Sequence, residues 1–304
     1  MRDAEASGPG RGGALPSAGF VGLGRMGSGM ALNLTRAGYP MTVCDADAAR
    51  LADCVAAGAT AAASNREVAE RCDVVCTSLP SSSVFVRVAE GDLLPAARAG
   101  QVFVDTGTTE AVETRRLAAA FAEKGAALID APVSGGPRGV ADRTLHVFAG
   151  GDRAVYEKCR PVLEALGGDP DRTAWCGPSG CGQAVKGVNQ LAMGLVDAAY
   201  LEAIAFGVRA GADVQAIART VGGDEGFRRR VARLAETVRD GKADDVLVKF
   251  PELPYFLGEA RERGFTMPMT RALFDFLDAG EKRWTDNMGR PRVAFWHQLM
   301  QAGT

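Results

Sequence analysis

Along the first half of the chain, short apolar runs alternate with longer alanine-rich stretches. The runs GFVGL, MTVCD, CDVVCTSLP, QVFVDTG and AALIDAP are rich in β-prone residues, and stretches such as SGMALNLTRAG and AARLADCVAAG set helix-length intervals between them. Brief β-prone runs separated by helices indicate crossover connections and a parallel sheet, so α/β architecture is predicted to about residue 178. After WCGPSGCG the texture changes. Clusters of β-branched residues become scarce, and Ala, Leu, Glu and Arg recur at helical spacing, which predicts an all-α second domain. Its first helix is predicted over about residues 181–210, with Val185, Val188, Leu191, Ala192, Leu195 and Ala199 on three- and four-residue steps. At ~1.5 Å per residue such a helix reaches ~45 Å, enough to bridge two lobes.

Length and composition sharpen this outline. A chain of 304 residues exceeds one ordinary core and falls short of three domains. The first 17 residues, rich in Gly, Ala, Ser and Pro, cannot bury an apolar face and are expected to form a disordered tail. Residues 18–178 and 179–304 are then the two domains. A net charge of −2 with 24% charged residues gives no electrostatic reason to seek nucleic acid or a membrane. No run of 18 apolar residues without charge occurs, and the N-terminus lacks the apolar stretch of a secretory signal, so a cytoplasmic protein is expected. The seven cysteines form no CxxC pair and read as buried free thiols. With only His146 and His297 available, a histidine triad or a metal centre is hard to build. No metal is expected, and any proton transfer must use another base.

Directly after the first predicted strand, GFVGLGRMGSGMALNL places Gly22, Gly24 and Gly27 in the G-x-G-x-x-G spacing and then opens an amphipathic helix. Gly22 permits a tight strand-to-helix turn, Gly24 lets the backbone approach a pyrophosphate, and Gly27 allows the helix to lie close to the strand. Together with Met26 they are the candidate cofactor contacts of a Rossmann-type, doubly wound parallel sheet. Asp45 ends the next strand, 18 residues after Gly27, where a carboxylate can accept hydrogen bonds from an adenine-ribose diol. No Arg follows it directly and Asp47 adds a second negative charge, so NAD is favoured over NADP. Asp45 or Asp47 could instead cap a helix.

Two further features carry candidate chemistry. Ser134, Gly135 and Gly136 form a small bend after AALIDAP, where backbone N–H groups and a hydroxyl suit a carboxylate; a flexible hairpin tip is the alternative. Lys186 stands alone in a stretch from Thr173 to Val196 that holds no Asp, Glu or Arg. Surface lysines normally have charged neighbours three or four residues away, but this one is flanked by Gly182, Gln183, Asn189 and Gln190. A proton-transfer lysine at the lobe boundary and an ordinary snorkelling lysine both fit.

With these residues in view, the chain resembles the β-hydroxyacid dehydrogenase family, which includes 3-hydroxyisobutyrate dehydrogenase, tartronate semialdehyde reductase and the glyoxylate/succinic semialdehyde reductases. The likeness spans about residues 18–300 and rests on four ordered motifs: GFVGLGRMGSGMALNL, DAPVSGGPRGVADRTL, GPSGCGQAVKGVNQ and a helical tail with GFTMPMT. It implies that Ser134, Gly135 and Gly136 hold the substrate, that Lys186 is the catalytic lysine, and that Asn189 is its amide partner with Gln190 beside it. It also implies cofactor contacts from Leu79, Pro80 and Thr108, and, near the nicotinamide, an ammonium for which Lys249 is the nearest candidate. The implied reaction is hydride transfer between NAD(P) and a small β-hydroxycarboxylic acid or its semialdehyde. A homodimer or homotetramer built through the helical domain is expected.

The sequence also departs from the family pattern. Gly107 and Ala111 replace the usual Ser and Pro, Arg143 stands for a common Gly, His146 for a small polar residue, and Pro251-Glu252 for Lys-Asp. A nucleotide-sensing protein without turnover and an imine reductase are the alternatives, and the retained Lys186 argues against both. A 6-phosphogluconate dehydrogenase would need a longer helical domain than this chain provides.

Overall fold

The computed structural model describes residues 15–248, 250–285 and 291–301. Strands β1 (Ala18–Val21), β2 (Met41–Cys44), β3 (Thr60–Ala61), β4 (Val74–Thr77), β5 (Val102–Asp105) and β6 (Ala127–Asp130) pair in parallel, in the order β3-β2-β1-β4-β5-β6. The order reverses between β1 and β4, and that switch point is where open α/β sheets bind ligands. Strands β7 (Val133–Ser134), β8 (Leu145–Gly150) and β9 (Gly168–Gly177) extend the sheet. The strands expected from the sequence are thus parallel as anticipated, and the sheet adds strands beyond them in which β8 runs antiparallel to β6 and β7, with only β9 parallel to it. The physical reason is the short β7–β8 link through the Ser134–Gly136 bend, which is too brief for a parallel crossover.

Helices α1 (Gly27–Arg36), α2 (Ala52–Ala56), α3 (Asn65–Arg71), α4 (Ser82–Val88), α5 (Leu94–Ala96), α6 (Ala111–Glu123), α7 (Gly136–Ala141) and α8 (Arg153–Ala165) accompany this sheet. Neighbouring strand residues point to opposite faces, and each face has its own core. Phe20, Cys76, Val104 and Ile129 pack with Met30, Leu34 and Leu163 on one side. Val21, Val75, Phe103 and Leu128 pack with Phe85, Leu117 and Phe121 on the other. Burial of a side chain such as Phe20, which is 0% exposed, stabilises the fold by roughly 1.5–3 kcal/mol. Ser17, in the span expected to be a tail, ties down the start of β1: its hydroxyl donates to Asp73 Oδ2 at 2.7 Å. Residues 1–14 of that span lie outside the described residues.

The helical part opens with α9 (Cys181–Arg209) and continues through α10 (Val214–Thr220), α11 (Gly226–Arg239), α12 (Leu253–Glu262), α13 (Pro268–Asp278) and α14 (Phe295–Gln301). Leu201 and Ile204 of α9 meet Leu234, Leu253, Leu273, Leu277 and Phe295 in a third core. By length and composition α9 could cross a membrane. Its inner face, however, carries Lys186 and Asp197, both buried in the protein, and Asp197 pairs with Arg230 Nε at 2.7 Å.

The expectation of an all-α second domain is corrected, because β10 (Lys282–Thr285) and β11 (Pro291–Val293) form an antiparallel ribbon. Their charged stretch reads as a solvated helix face, but Pro291 has no N–H to continue a helix, whereas the first residue of an edge strand tolerates it. Arg143 is a second surprise, with a φ of +55° where the family usually carries Gly. A side chain in that left-handed region is strained, and the guanidinium reaches the Glu164 carbonyl at 3.2 Å.

Candidate functional site

The site forms where the C-terminal ends of β1, β4, β5 and β7 face the start of α9. At the end of β1 the chain must turn sharply into α1. Gly22 does so with a φ of +91°, and a Cβ there would lie 2.5 Å from the Ser78 carbonyl oxygen. A Cβ on Gly27 would collide with the Gly22 carbonyl oxygen. Gly24 differs: a Cβ would meet only Arg50 Nη1, at 3.8 Å, so its bare backbone faces open space. The first turn of α1 carries no acidic residue, and its N-cap makes no side-chain bond. A nucleotide pyrophosphate fits this turn, because it needs close backbone approach and unopposed N–H dipoles.

Asp45, just beyond β2, accepts Leu23 N–H at 2.6 Å and Asp47 N–H at 2.8 Å. Its carboxylate thus fixes the glycine turn, while the capping alternative falls to Asp47, which accepts Ala49 N–H at 3.1 Å. Sequence reasoning missed Arg50, whose Nη1 lies 3.8 Å from Asp45 Oδ1. Its signal was weak, since four residues separate it from Asp45 and only the short helical turn Ala48–Leu51 swings it back.

A cavity of about 560 Å³ opens beside the turn. Met26, Leu79, Pro80 and Thr108 line the side nearest the glycines, and Ser134, Gly135, Gly136 and Lys186 line the other. Lys186 is 8% exposed, and its Nζ donates to the Val133 carbonyl at 2.7 Å. The aliphatic stem is therefore buried while the amine meets the cavity wall between the bend and the cofactor side. Asn189 reaches Ser134, not the cavity, with Nδ2 donating to the hydroxyl oxygen at 3.3 Å. Since Ser134 Oγ accepts that bond, its own O–H is left to donate to an anion. Gly135 and Gly136, with φ of +135° and +64°, supply the bend.

Not every expected residue converges. Gln190 is 4% exposed and lies outside the cavity lining, with Oε1 lacking a hydrogen-bond partner among the described residues. It sits one residue, or ~100° of helix, past Asn189, which turns it into the protein. Lys249 lies outside the described residues. Of the pair that replaces Lys-Asp, Pro251 belongs to a short turn, Phe250–Glu252, while Glu252 and Tyr255 line the cavity. Sequence reasoning missed Tyr255, although it lies only three residues past Glu252, because that segment departs from the family pattern and its tyrosine reads as an ordinary helix residue.

Behind the cavity lie two carboxylates at paired strand ends, Asp105 and Asp130. Asp105 accepts from the hydroxyls of Thr77 and Thr109 and from Gly107 N–H at 3.0, 2.6 and 3.1 Å. Asp130 accepts from Gly180 N–H and Gln183 N–H at 2.9 and 3.0 Å, satisfying donors left open at the start of α9. Burial raises Asp105 to about 6 and Asp130 to about 7, against the pull of these donors. Close packing aligns α9: a Cβ on Gly182 would strike the Phe148 carbonyl oxygen. Across the lobes, Arg115 of α6 donates two bonds of 2.9 Å to the Glu259 carboxylate of α12.

Residues 17–177 match the family model described as the NAD binding domain of 6-phosphogluconate dehydrogenase. The 2-(hydroxymethyl)glutarate dehydrogenase of Eubacterium barkeri is 34% identical over 270 residues, covering 86% of this chain and 88% of that protein. The 2-hydroxy-3-oxopropionate reductase of Escherichia coli is 36% identical over 198 residues, covering 64% and 66%. Among solved structures, Mycobacterium tuberculosis 3-hydroxyisobutyrate dehydrogenase with L-serine is similar at a TM-score of 0.76 and 25% identity, covering 95% of this chain and 100% of that one.

Proposed function

Since this chain belongs to the β-hydroxyacid dehydrogenase family, we propose that it interconverts a small β-hydroxycarboxylic acid and its semialdehyde, with NAD preferred and Lys186 transferring the proton. The observation that carries this reading is the buried Lys186 amine on the wall of a cavity between the Ser134–Gly136 bend and the Thr108 turn. A bound nicotinamide would supply the hydride acceptor or donor. Gly22, Gly24, Met26 and Gly27 would hold its nucleotide, with Asp45 toward the ribose and Leu79, Pro80 and Thr108 on the cavity side.

The Ser134 hydroxyl and the glycine bend hold the substrate carboxylate, and Asn189 keeps that hydroxyl turned to donate. Lys186 exchanges a proton with the reacting oxygen. Glu252, which lines the cavity, offers an acceptor to a hydroxyl or ammonium on the substrate. NAD is preferred because a 2′-phosphate would meet the Asp45 and Asp47 charges, which Arg50 offsets in part. We place the activity in the cytoplasm, where seven unpaired thiols persist.

A second copy of the chain is proposed to cover the outer face of α9. Val188, Val196 and Phe206 are exposed along it, Phe206 by 77%. A groove of about 360 Å³ lined by Leu195, Met269, Phe276, Phe295 and Leu299 lies on the same helix, roughly 16 Å from Phe206 at ~1.5 Å per residue. Knob and groove on one element suit a two-fold contact in which each chain fills the other's groove. Lone exposed apolar side chains need no explanation, but a continuous stripe does.

The test is consumption of NADH and NADPH with glyoxylate, succinic, tartronate and methylmalonate semialdehydes. The reverse direction uses 3-hydroxyisobutyrate, L-serine and 2-(hydroxymethyl)glutarate. Turnover of at least one pair, faster with the NAD couple, is expected; no turnover of any would sink the enzymatic reading.

A further inference from the structure

We propose that Gln183 is a positioning residue, whose side-chain amide locks the turn at Gly107–Thr109 to the helical turn that bears Lys186. This rests on the enzymatic reading above and adds a residue that no part of it uses. Gln183 is 3% exposed. Its Oε1 accepts Thr109 N–H at 3.0 Å, and its Nε2 donates to the Gly107 carbonyl at 3.0 Å. The two bonds bracket Thr108, which lines the cavity.

The opposite side of the same turn is held from within the sheet. Asp105 Oδ1 accepts Gly107 N–H at 3.1 Å, and Oδ2 accepts the Thr109 hydroxyl at 2.6 Å. One carboxylate and one amide therefore share the polar groups of the turn without competing, the carboxylate taking donors and the amide taking one donor and one acceptor. Gln183 precedes Lys186 by three residues, ~4.5 Å of rise on the same helical face. Its own N–H is held by Asp130 at 3.0 Å. The distance between Lys186 and the Thr108 wall is thus set by a side chain bonded at both ends.

Replacement chemistry makes this testable. A neutral Glu can reproduce both bonds, its carbonyl accepting and its hydroxyl donating, whereas an ionised Glu has only acceptors and opposes the Gly107 carbonyl. Met keeps the length and makes neither bond. Steady-state kinetics of wild type, Gln183→Met and Gln183→Glu are to be measured from about pH 5 to about pH 9, with thermal unfolding midpoints alongside. Gln183→Met is expected to lose roughly 10- to 100-fold in kcat, as misplacement near 1 Å does, with KM for the carboxylate substrate nearly unchanged. Gln183→Glu is expected to approach wild type at the acid end and to fall as pH rises and its carboxyl ionises, a titration absent from the other two proteins.

A Gln183→Met kcat within about twofold of wild type overturns the proposal. So does a Gln183→Glu profile parallel to wild type, or one in which only the unfolding midpoint titrates, since that contact would be structural alone. If wild type turns over none of the substrates, the functional reading fails instead. The same titration is then read in the NADH dissociation constant of Gln183→Glu, where a flat result overturns the positioning role.

Discussion

The two ends of α9 face different worlds. In its first turns the polar side chains reach across to the sheet: Gln183 to Gly107 and Thr109, Lys186 to Val133, and Asn189 to Ser134. Farther along, the outer face turns apolar and exposed through Val196 and Phe206, while the inner face packs on Leu234 and Leu273. One continuous helix therefore builds a site at one end and offers a surface at the other. The sequence pattern hides this difference, because both ends are poor in charge. What separates them is whether the groups opposite are backbone carbonyls and hydroxyls or open solvent.

The largest expected effect tests the first end. Lys186→Ala should lower turnover by roughly 10²- to 10⁴-fold, the usual range for general acid–base help, with NADH affinity near wild type by fluorescence titration. Near-normal turnover would remove the chemical distinction between the ends. Sedimentation equilibrium should show Lys186→Ala keeping the wild-type mass.

The second end is tested by the double change Val196→Lys, Phe206→Glu. Losing apolar anchors worth ~2 kcal/mol weakens association roughly 30-fold, so the wild-type dimer should become largely monomer at micromolar concentration. A wild type that sediments as a monomer, or a variant that keeps its full mass, would refute the second-copy assignment.

The smallest effect concerns the cap between the ends and the sheet. Asp130 is raised to about 7 by burial, so its folded state favours the neutral carboxyl. That contribution to stability is fully present below the unfolded value near 3.8 and is lost as pH rises through about 7. Asp105, raised to about 6, acts in the same sense over a lower window. The thermal midpoint should fall between about pH 4 and about pH 7, and Asp130→Asn should flatten the upper part of that slope. An upward slope would show the N–H donors outweighing burial.

The fold class was legible because buried parallel strands read as unbroken apolar runs and because the glycine turn has a steric reason at Gly22 and Gly27. Lys186 stood out through the absence of charge around it. Gln183 did not, since its partners are backbone groups 74 and 76 residues away, and a backbone N–H leaves no mark on a sequence. Asn189 and Gln190 look equivalent in one dimension, yet one meets Ser134 and the other turns inward. The β10–β11 ribbon escaped notice because its strands are short and charged.

The bond from Lys186 Nζ to the Val133 carbonyl has one more implication. A carbonyl asks for a single N–H, and both an ammonium and a neutral amine possess one. The tether therefore holds through either charge state. If Lys186 transfers the proton as proposed, that proton can leave or return while the side chain stays in place, so acid and base would share one address with no conformational step between them.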